Sequence, residues 1–361
     1  MSRRKPADPE PQALQTPVAE QLLIEELPGL EAGRILCTSL GRGQFANLAA
    51  SYFPGSQVVC QIFDAFLASQ TTEYLGAGEG RPIVECSADF PAGPFDLVAI
   101  PVDPRGESEL TRDLLQSGYE RLIAGGRLLA ATSNPLDQWL HGELRKLFPK
   151  VTRRPLDHGV VYLAVKTGDL KRKKNFECEF AFRDQERLIK AISRPGVFNH
   201  RSLDSGARAL INTMNVRDGD RIVDLGCGSG VVALAAACRA RSGTVVAVDS
   251  NARAVECTAR GAQMNDLANV TAIQNADGDV PAPGSYDLVV GNPPYFSDFR
   301  IAEIFLQGAR RALKPGGKVL MVSKSPAWFE TRMPELFDDV KSHPHKLYTV
   351  VEGTQSVDGC N

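Results

Sequence analysis

The sequence predicts an α/β protein built from two tandem, doubly wound (Rossmann-like) units of mostly parallel sheet. Two observations lead there. The chain matches itself: Arg34-Ile35-Leu36-Cys37-Thr38-Ser39-Leu40-Gly41-Arg42-Gly43 lies over Arg221-Ile222-Val223-Asp224-Leu225-Gly226-Cys227-Gly228-Ser229-Gly230 without a gap. After a small insertion in the second copy, Phe95-Asp96-Leu97-Val98 lies over Tyr286-Asp287-Leu288-Val289. A repeat as long as a whole domain means tandem duplication, not a solenoid. Each copy also alternates short apolar runs with helix-like stretches, the pattern of strands joined by crossover helices.

In the second copy the run from Arg221 to Leu225 ends in glycines, hence a strand and a tight turn. The alanine-rich stretch from Val231 to Arg241 follows as a helix, then a strand from Thr244 to Asp249 and a helix from Ala252 to Met264. Further strands are expected at Val270 to Gln274, Tyr286 to Gly291 and Lys318 to Ser323, with a late one from Lys346 to Glu352. The helix from Ile301 to Leu313 stops at Pro315-Gly316-Gly317. Ligands of such sheets sit beyond the carboxyl ends of the strands.

A chain of 361 residues with 43% apolar and 23% charged residues can bury two cores. No apolar run approaches the roughly 20 residues that cross a bilayer, so no membrane role is expected. Met1-Ser2-Arg3-Arg4-Lys5-Pro6 has no apolar stretch after it, so residues 1–19 are expected to be a disordered tail. Eight cysteines without a Cys-x-x-Cys pair fit a reducing cytoplasm. His343-Pro344-His345 has no Cys or acid cluster beside it and reads as a surface loop, so no metal is expected.

A net charge of -2 argues against a chain that coats nucleic acid indiscriminately. Charge is uneven, however: ten Lys or Arg crowd residues 141–175 against Glu143, Asp157 and Asp169. Residues 20–166 form the first unit, 167–175 a basic linker, and 176–361 the second unit. Lys171, Arg172, Lys173 and Lys174 can neutralise phosphates, or they can simply be a solvated connection.

Polar groups survive in one copy only. Asp224 becomes Cys37, Asp249 becomes Ile62, and Asn292-Pro293-Pro294-Tyr295 becomes Pro101-Val102-Asp103-Pro104. The first copy is therefore read as degenerate, serving to hold substrate or to stabilise its neighbour. In the second, Gly226, Gly228 and Gly230 let the backbone approach a ligand, and Cys227 supplies the small side chain between them. Val231 stands where a dinucleotide fingerprint needs its last glycine. Asp249 can bind two ribose hydroxyls, unless it merely caps the helix that follows, a task Ser250 and Asn251 can also take. Asp224 suits the amino-acid end of an adenosyl cofactor, and Asp277 in Asn275-Ala276-Asp277 suits an adenine amine. Ser250, Ala276, Asn292 and Phe198 complete the expected cofactor lining, Phe198 from the turn Arg194-Pro195-Gly196-Val197-Phe198.

Asn292 and the carbonyl of Pro293 can accept both hydrogens of a planar NH2 and draw its lone pair out of conjugation, the prolines holding that carbonyl rigid. Pro294 and Tyr295 can flank the base. S-adenosylmethionine is the expected cofactor, since a sulfonium leaves readily and positioning suffices.

The glycine loop is similar to that of class I methyltransferases. Together with the tandem arrangement, Pro195-Gly196-Val197-Phe198, Leu203-Asp204-Ser205-Gly206 and Asn292-Pro293-Pro294-Tyr295, it resembles the bacterial ribosomal RNA guanine-N2 methyltransferases. That resemblance implies N2-methylation of a guanine, in its nearest form on small-subunit RNA, by a cytoplasmic enzyme expected to be a monomer, with ribosomal RNA or an assembled ribosomal particle as partner. Alternatives are guanine-N2 or adenine-N6 methylation of large-subunit RNA, glutamine-N5 methylation of a protein, and an idle RNA-binding assembly factor. Tyr295 is shared with the adenine and glutamine enzymes, whereas Asn199-His200 stands where Ser-Arg is expected.

Overall fold

The computed structural model describes residues 14–294 and 299–357. The first unit opens with α1 (Val18–Ile24) and β1 (Arg34–Thr38), followed by α2 (Gln44–Tyr52), β2 (Gln57–Ile62), α3 (Ala65–Leu75) and β3 (Ile83–Cys86). It continues through β4 (Phe95–Val102), α4 (Ser108–Arg121), β5 (Leu122–Thr132), α5 (Trp139–Leu147), β6 (Val151–Leu156) and β7 (Gly159–Val165). The expected tail is too long, because α1 begins at Val18 and buries Ala19, Leu22 and Leu23.

The second unit begins with a hairpin, β8 (Cys178–Asp184) and β9 (Arg187–Ser193), then α6 (Ser205–Thr213). Next come β10 (Arg221–Leu225), α7 (Val231–Arg239), β11 (Thr244–Asp249), α8 (Ala252–Met264), β12 (Val270–Gln274) and β13 (Tyr286–Gly291). The chain ends through α9 (Arg300–Ala312), β14 (Leu313–Ser323), α10 (Ala327–Arg332), β15 (Asp338–His345) and β16 (Tyr348–Thr354). Pro344, expected in a loop, lies in β15 at the sheet edge, where its missing N–H costs no ladder bond. His343 and His345 are held by Glu352 and Thr213.

Both sheets have seven strands in the same order, β3-β2-β1-β4-β5-β7-β6 and β12-β11-β10-β13-β14-β16-β15. The order reverses beside β1 and β10, which opens a crevice at their carboxyl ends. The central strands are apolar on both faces, as helices cover both: Ile222, Val223, Val245, Ala247, Val289 and Val290 are all buried.

The two units meet around a local two-fold. Asp64 and Asn251 hold equivalent positions in the copies and pair as an antiparallel bridge. Ala65 N–H donates to the Ser250 carbonyl and Ala252 N–H to the Phe63 carbonyl, each at 2.8 Å. Each partner also caps its own helix, Asp64 accepting from Leu67 N–H and Asn251 from Arg253 N–H. Beside the bridge, the Arg253 side chain is only 2% exposed. Its guanidinium pairs with Asp113 at 2.8 Å, donates to the Ala88 and Pro195 carbonyls, and lies over the Phe63 ring. A buried cation so fully partnered ties the units into one body, because losing any partner leaves a desolvated charge.

The linker is pinned. The Gln116 side chain brackets the Lys174 backbone with two 2.9 Å bonds, and Tyr119 donates to the Gly168 carbonyl. Part of the basic stretch is structural: Lys166 is buried and donates to the Leu122 carbonyl, Arg153 donates to the Asp137 carbonyl, and Arg154 pairs with Glu26.

Candidate active site

The crevice of the second unit gathers the carboxyl ends of β10, β11 and β13, which are neighbouring parallel strands. Asp224 ends its strand 2% exposed, with one oxygen accepting Ala233 N–H at 3.0 Å. Burial pushes its carboxyl up to about 7, with Asp249 adding repulsion. Gly226 and Cys227 turn their N–H groups onto the Val248 carbonyl at 2.8 and 3.0 Å, folding the loop over β11.

The three glycines answer to different constraints. A Cβ at Gly226 would come within 2.7 Å of the Phe305 ring, and one at Gly230 within 2.7 Å of Thr258 Oγ1. Gly228 has nothing within 4 Å of that position, and its N–H donates to Asp249 at 2.9 Å. The first and third serve internal packing, while the middle one leaves a cradle open to a ligand. Cys227 is buried against Thr258, and burial pushes its thiol well up, so it contributes through its backbone.

Asp249 accepts from Gly228 N–H with one oxygen and from Asn251 N–H with the other, each at 2.9 Å. Each oxygen keeps a lone pair for a ribose hydroxyl. The helix cap is Asn251, which leaves Asp249 for the crevice. The Ser250 hydroxyl donates to Asp64 of the first unit at 2.5 Å, so this residue also takes part in the two-fold contact. After β12, Asn275 accepts from Asp277 N–H and Gly278 N–H, shaping the turn that carries Ala276. Asp277 is exposed, with one oxygen accepting Asp279 N–H. The open Gly228 cradle and the Asp224 and Asp249 carboxylates beside it fit an adenosyl cofactor with an ammonium end.

At the end of β13, Asn292 is half-buried, Pro293 buried and Pro294 half-buried; Tyr295 lies outside the described residues. The Asn292 Nδ2 donates to Asp204 at 3.0 Å, a contact across 88 positions that sequence reading missed. Only the Leu203-Asp204-Ser205-Gly206 motif pointed there.

Residues 194–204 cross the mouth of the crevice from the Asp249 side to the Asn292 side. Asn251 donates to the Gly196 carbonyl, and Asp204 takes the Asn292 amide. The first unit holds this segment from beneath: Glu107 accepts Gly196 N–H, and Glu109 takes Arg201 through two 2.7 Å bonds. His200 is held between Ser193 and Glu109, and burial lowers its pKa. Phe198 stands 62% exposed on a cleft of about 490 Å³. Glu109 and Arg201 are shared with a second groove of about 600 Å³, lined by Arg112, Lys146, Arg172, Lys173 and Lys174. Lys173 pairs with Glu120, and Arg112 and Lys146 pair with Glu143. Lys171 is not part of the lining.

The corresponding loop of the first unit is filled from within. Glu20 of α1 is buried and accepts from Ser39 Oγ, Leu40 N–H, Gly41 N–H and Phe45 N–H. A carboxylate already occupies the donors of that glycine loop, and the position of Asp249 is apolar Ile62. Calorimetric titration with S-adenosylmethionine should therefore count one site per chain; a second site would contradict this closure.

Residues 189–352 match the family model described as the methyltransferase small domain. The ribosomal RNA large subunit methyltransferase G of Pseudomonas savastanoi pv. phaseolicola is 30% identical over 309 residues, covering 82% of this chain and 81% of that protein. The ribosomal RNA small subunit methyltransferase C of Chromohalobacter salexigens is 35% identical over 172 residues, which span 44% of this chain and half of that relative. Among solved structures, a T. thermophilus 16S rRNA N2 methyltransferase in complex with AdoMet and guanosine matches with a TM-score of 0.75 at 22% identity. That match covers 92% of both chains, and so carries the fold through both units. The chain belongs to the family of S-adenosylmethionine-dependent ribosomal RNA methyltransferases that includes the Pseudomonas and Chromohalobacter enzymes.

Proposed function

We propose that this protein methylates the exocyclic N2 of a guanine in ribosomal RNA, with small-subunit RNA as the first candidate. The observation that carries the reading is the juxtaposition of Asn292-Pro293 with the Asp224 and Asp249 cradle at adjacent strand ends. S-adenosylmethionine, when bound, supplies an electrophilic methyl group on a sulfonium. Asp249 would hold its ribose, Asp224 its amino-acid end, and Asp277 with Ala276 its adenine.

Asn292 Oδ1 and the Pro293 carbonyl would accept the two amine hydrogens, weakening conjugation of the lone pair with the ring. Pro294 and Tyr295 would flank the base. A guanine in a paired region must first be turned out of its stack. Phe198, exposed beside the crevice, offers a face for the extruded base as well as for the cofactor.

The adjoining cationic groove would carry phosphates of the same strand. Arg172 and Lys174 are its strongest candidates, as neither has a carboxylate partner among the described residues. Replacing both by Gln should raise the KM for RNA and flatten its dependence on log salt by roughly one to two units, measured from 50 to 200 mM salt. Unchanged slopes would make the segment a connection only. The contact around Asp64 and Asn251 already gives each unit a two-fold partner within one chain, which supports a monomer; a ribosomal RNA substrate would put it to work in the cytoplasm.

Large-subunit RNA is the second reading, favoured by the relative that covers most of this chain being a large-subunit enzyme. Nucleoside mass spectrometry of 16S and 23S RNA from a deletion strain tests both. Loss of N2-methylguanosine from 16S RNA is expected, and loss from 23S RNA alone selects the second reading. An intact RNA complement with methyl transfer to a protein glutamine would overturn both.

A further inference from the structure

We infer that Asp204 is a positioning residue: it fixes the sense of the Asn292 amide so that Oδ1, and not Nδ2, faces the substrate amine. The inference rests on the role proposed above for Asn292. An asparagine side chain turned through half a rotation exchanges oxygen and nitrogen with almost no change of shape. For a target NH2 the two orientations are opposites, since only the oxygen can accept its hydrogen. Something must choose between them.

An ionised carboxylate can choose, because it accepts and never donates. Asp204 Oδ2 takes the Asn292 NH2 at 3.0 Å; the turned amide would set oxygen against oxygen. Asp204 is itself immobile. The same oxygen accepts Gly206 N–H at 2.8 Å and Ala207 N–H at 3.1 Å, capping α6, whose Ala207, Leu210 and Ile211 are buried in the main core. Its other oxygen lies 3.5 Å from the Tyr348 hydroxyl on β16. Gly206 completes the arrangement by what it lacks. A Cβ there would lie 2.8 Å from Asp204 Oδ2 and 3.2 Å from Asn292 Oδ1, in the space the amide needs. Among the described residues nothing donates to Asn292 Oδ1, which leaves it for substrate.

Capping alone does not need this residue, since Ser and Asn cap equally well. Asp204→Ser keeps the cap but is too short to span to Asn292. It should lower kcat for methyl incorporation into ribosomal RNA about 10- to 100-fold, the worth of one hydrogen bond to a charged group. Tm and S-adenosylmethionine affinity should stay at parental values. Asp204→Asn, whose oxygen still accepts, should recover most of the lost turnover. In an Asn292→Ala background Asp204→Ser should cost nothing further.

Full turnover in Asp204→Ser would overturn the inference, as would an equal loss in the Asn292→Ala background. Should Asp204→Ser unfold, Gly206→Ala serves instead. Its methyl presses on Asp204 Oδ2 and on the amide together, so kcat should fall, and parental kcat in that variant would overturn the inference too. Turnover is read as labelled methyl in total RNA, and the nucleoside is identified separately. A product other than N2-methylguanosine therefore defeats the substrate reading and leaves the Asp204 comparison standing on its own result.

Discussion

Asn292→Ala should lower kcat roughly 100- to 1,000-fold, the loss seen when one preorganised polar group at a reacting centre is removed. The effect belongs to chemistry and not to cofactor binding, because Asn292 ends β13 while the cradle is built on β10 and β11. Calorimetric affinity for S-adenosylmethionine should stay within about threefold of the parent, since a group acting on the transition state moves kcat and not ground-state binding. Stability should change little, as the side chain is only half-buried and its one bond among the described residues is to Asp204, which retains the two α6 donors. Equal losses in turnover and cofactor affinity would show that residue 292 shapes the cradle, and the assignment would fail. Asn292→Asp separates the parts further. It keeps size and one acceptor, but sets a second carboxylate against Asp204, so its turnover should fall as far as that of the Ala variant.

What the sequence disclosed and what it hid follow from the range of the interactions. The duplication was legible because strand cores and glycine turns are local patterns, and the two sheets share one strand order. Asp224, Gly228, Asp249 and Asn292 could be named because each sits where its own strand ends. The contacts that decide roles were hidden because they join distant segments. The Ser250 hydroxyl donates to Asp64, 186 positions away, a contact that no local pattern announces. Glu20, within twenty residues of the start, fills the first unit's loop, and nothing in the repeat marked it, since α1 precedes the matched region. The β8–β9 hairpin carries no plain strand signal, because its alternating charged residues conceal Phe182, Ile189 and Ala191, which pack into the core. Charge counting alone also could not separate buried Lys166 from groove-lining Lys174.

Asp224→Asn should stabilise the cofactor-free protein while crippling cofactor binding, two effects of opposite sign from one buried carboxylate. In the folded chain its proton is held up to about 7, whereas an unfolded Asp releases it near 3.9. A raised carboxyl contributes stability that is fully present below about 4 and is lost as pH climbs through 7. At pH 8 the folded protein must keep an ionised group in a buried site, a cost on the order of a few kcal/mol. Asn carries no such penalty and can still accept Ala233 N–H. The Tm advantage of Asp224→Asn should therefore be largest at pH 8 and close as pH falls toward 4, by differential scanning calorimetry. Affinity runs the other way. A carboxylate facing the ammonium end of the cofactor forms a charge-assisted bond, and its removal should weaken binding about 10- to 100-fold at pH 8. Parental affinity should itself fall between pH 8 and 6 as the carboxyl takes up its proton, while that of Asp224→Asn stays flat. A variant that bound as tightly as the parent, with the same pH profile, would remove Asp224 from the cofactor's amino-acid end and leave it a purely structural tie between β10 and α7.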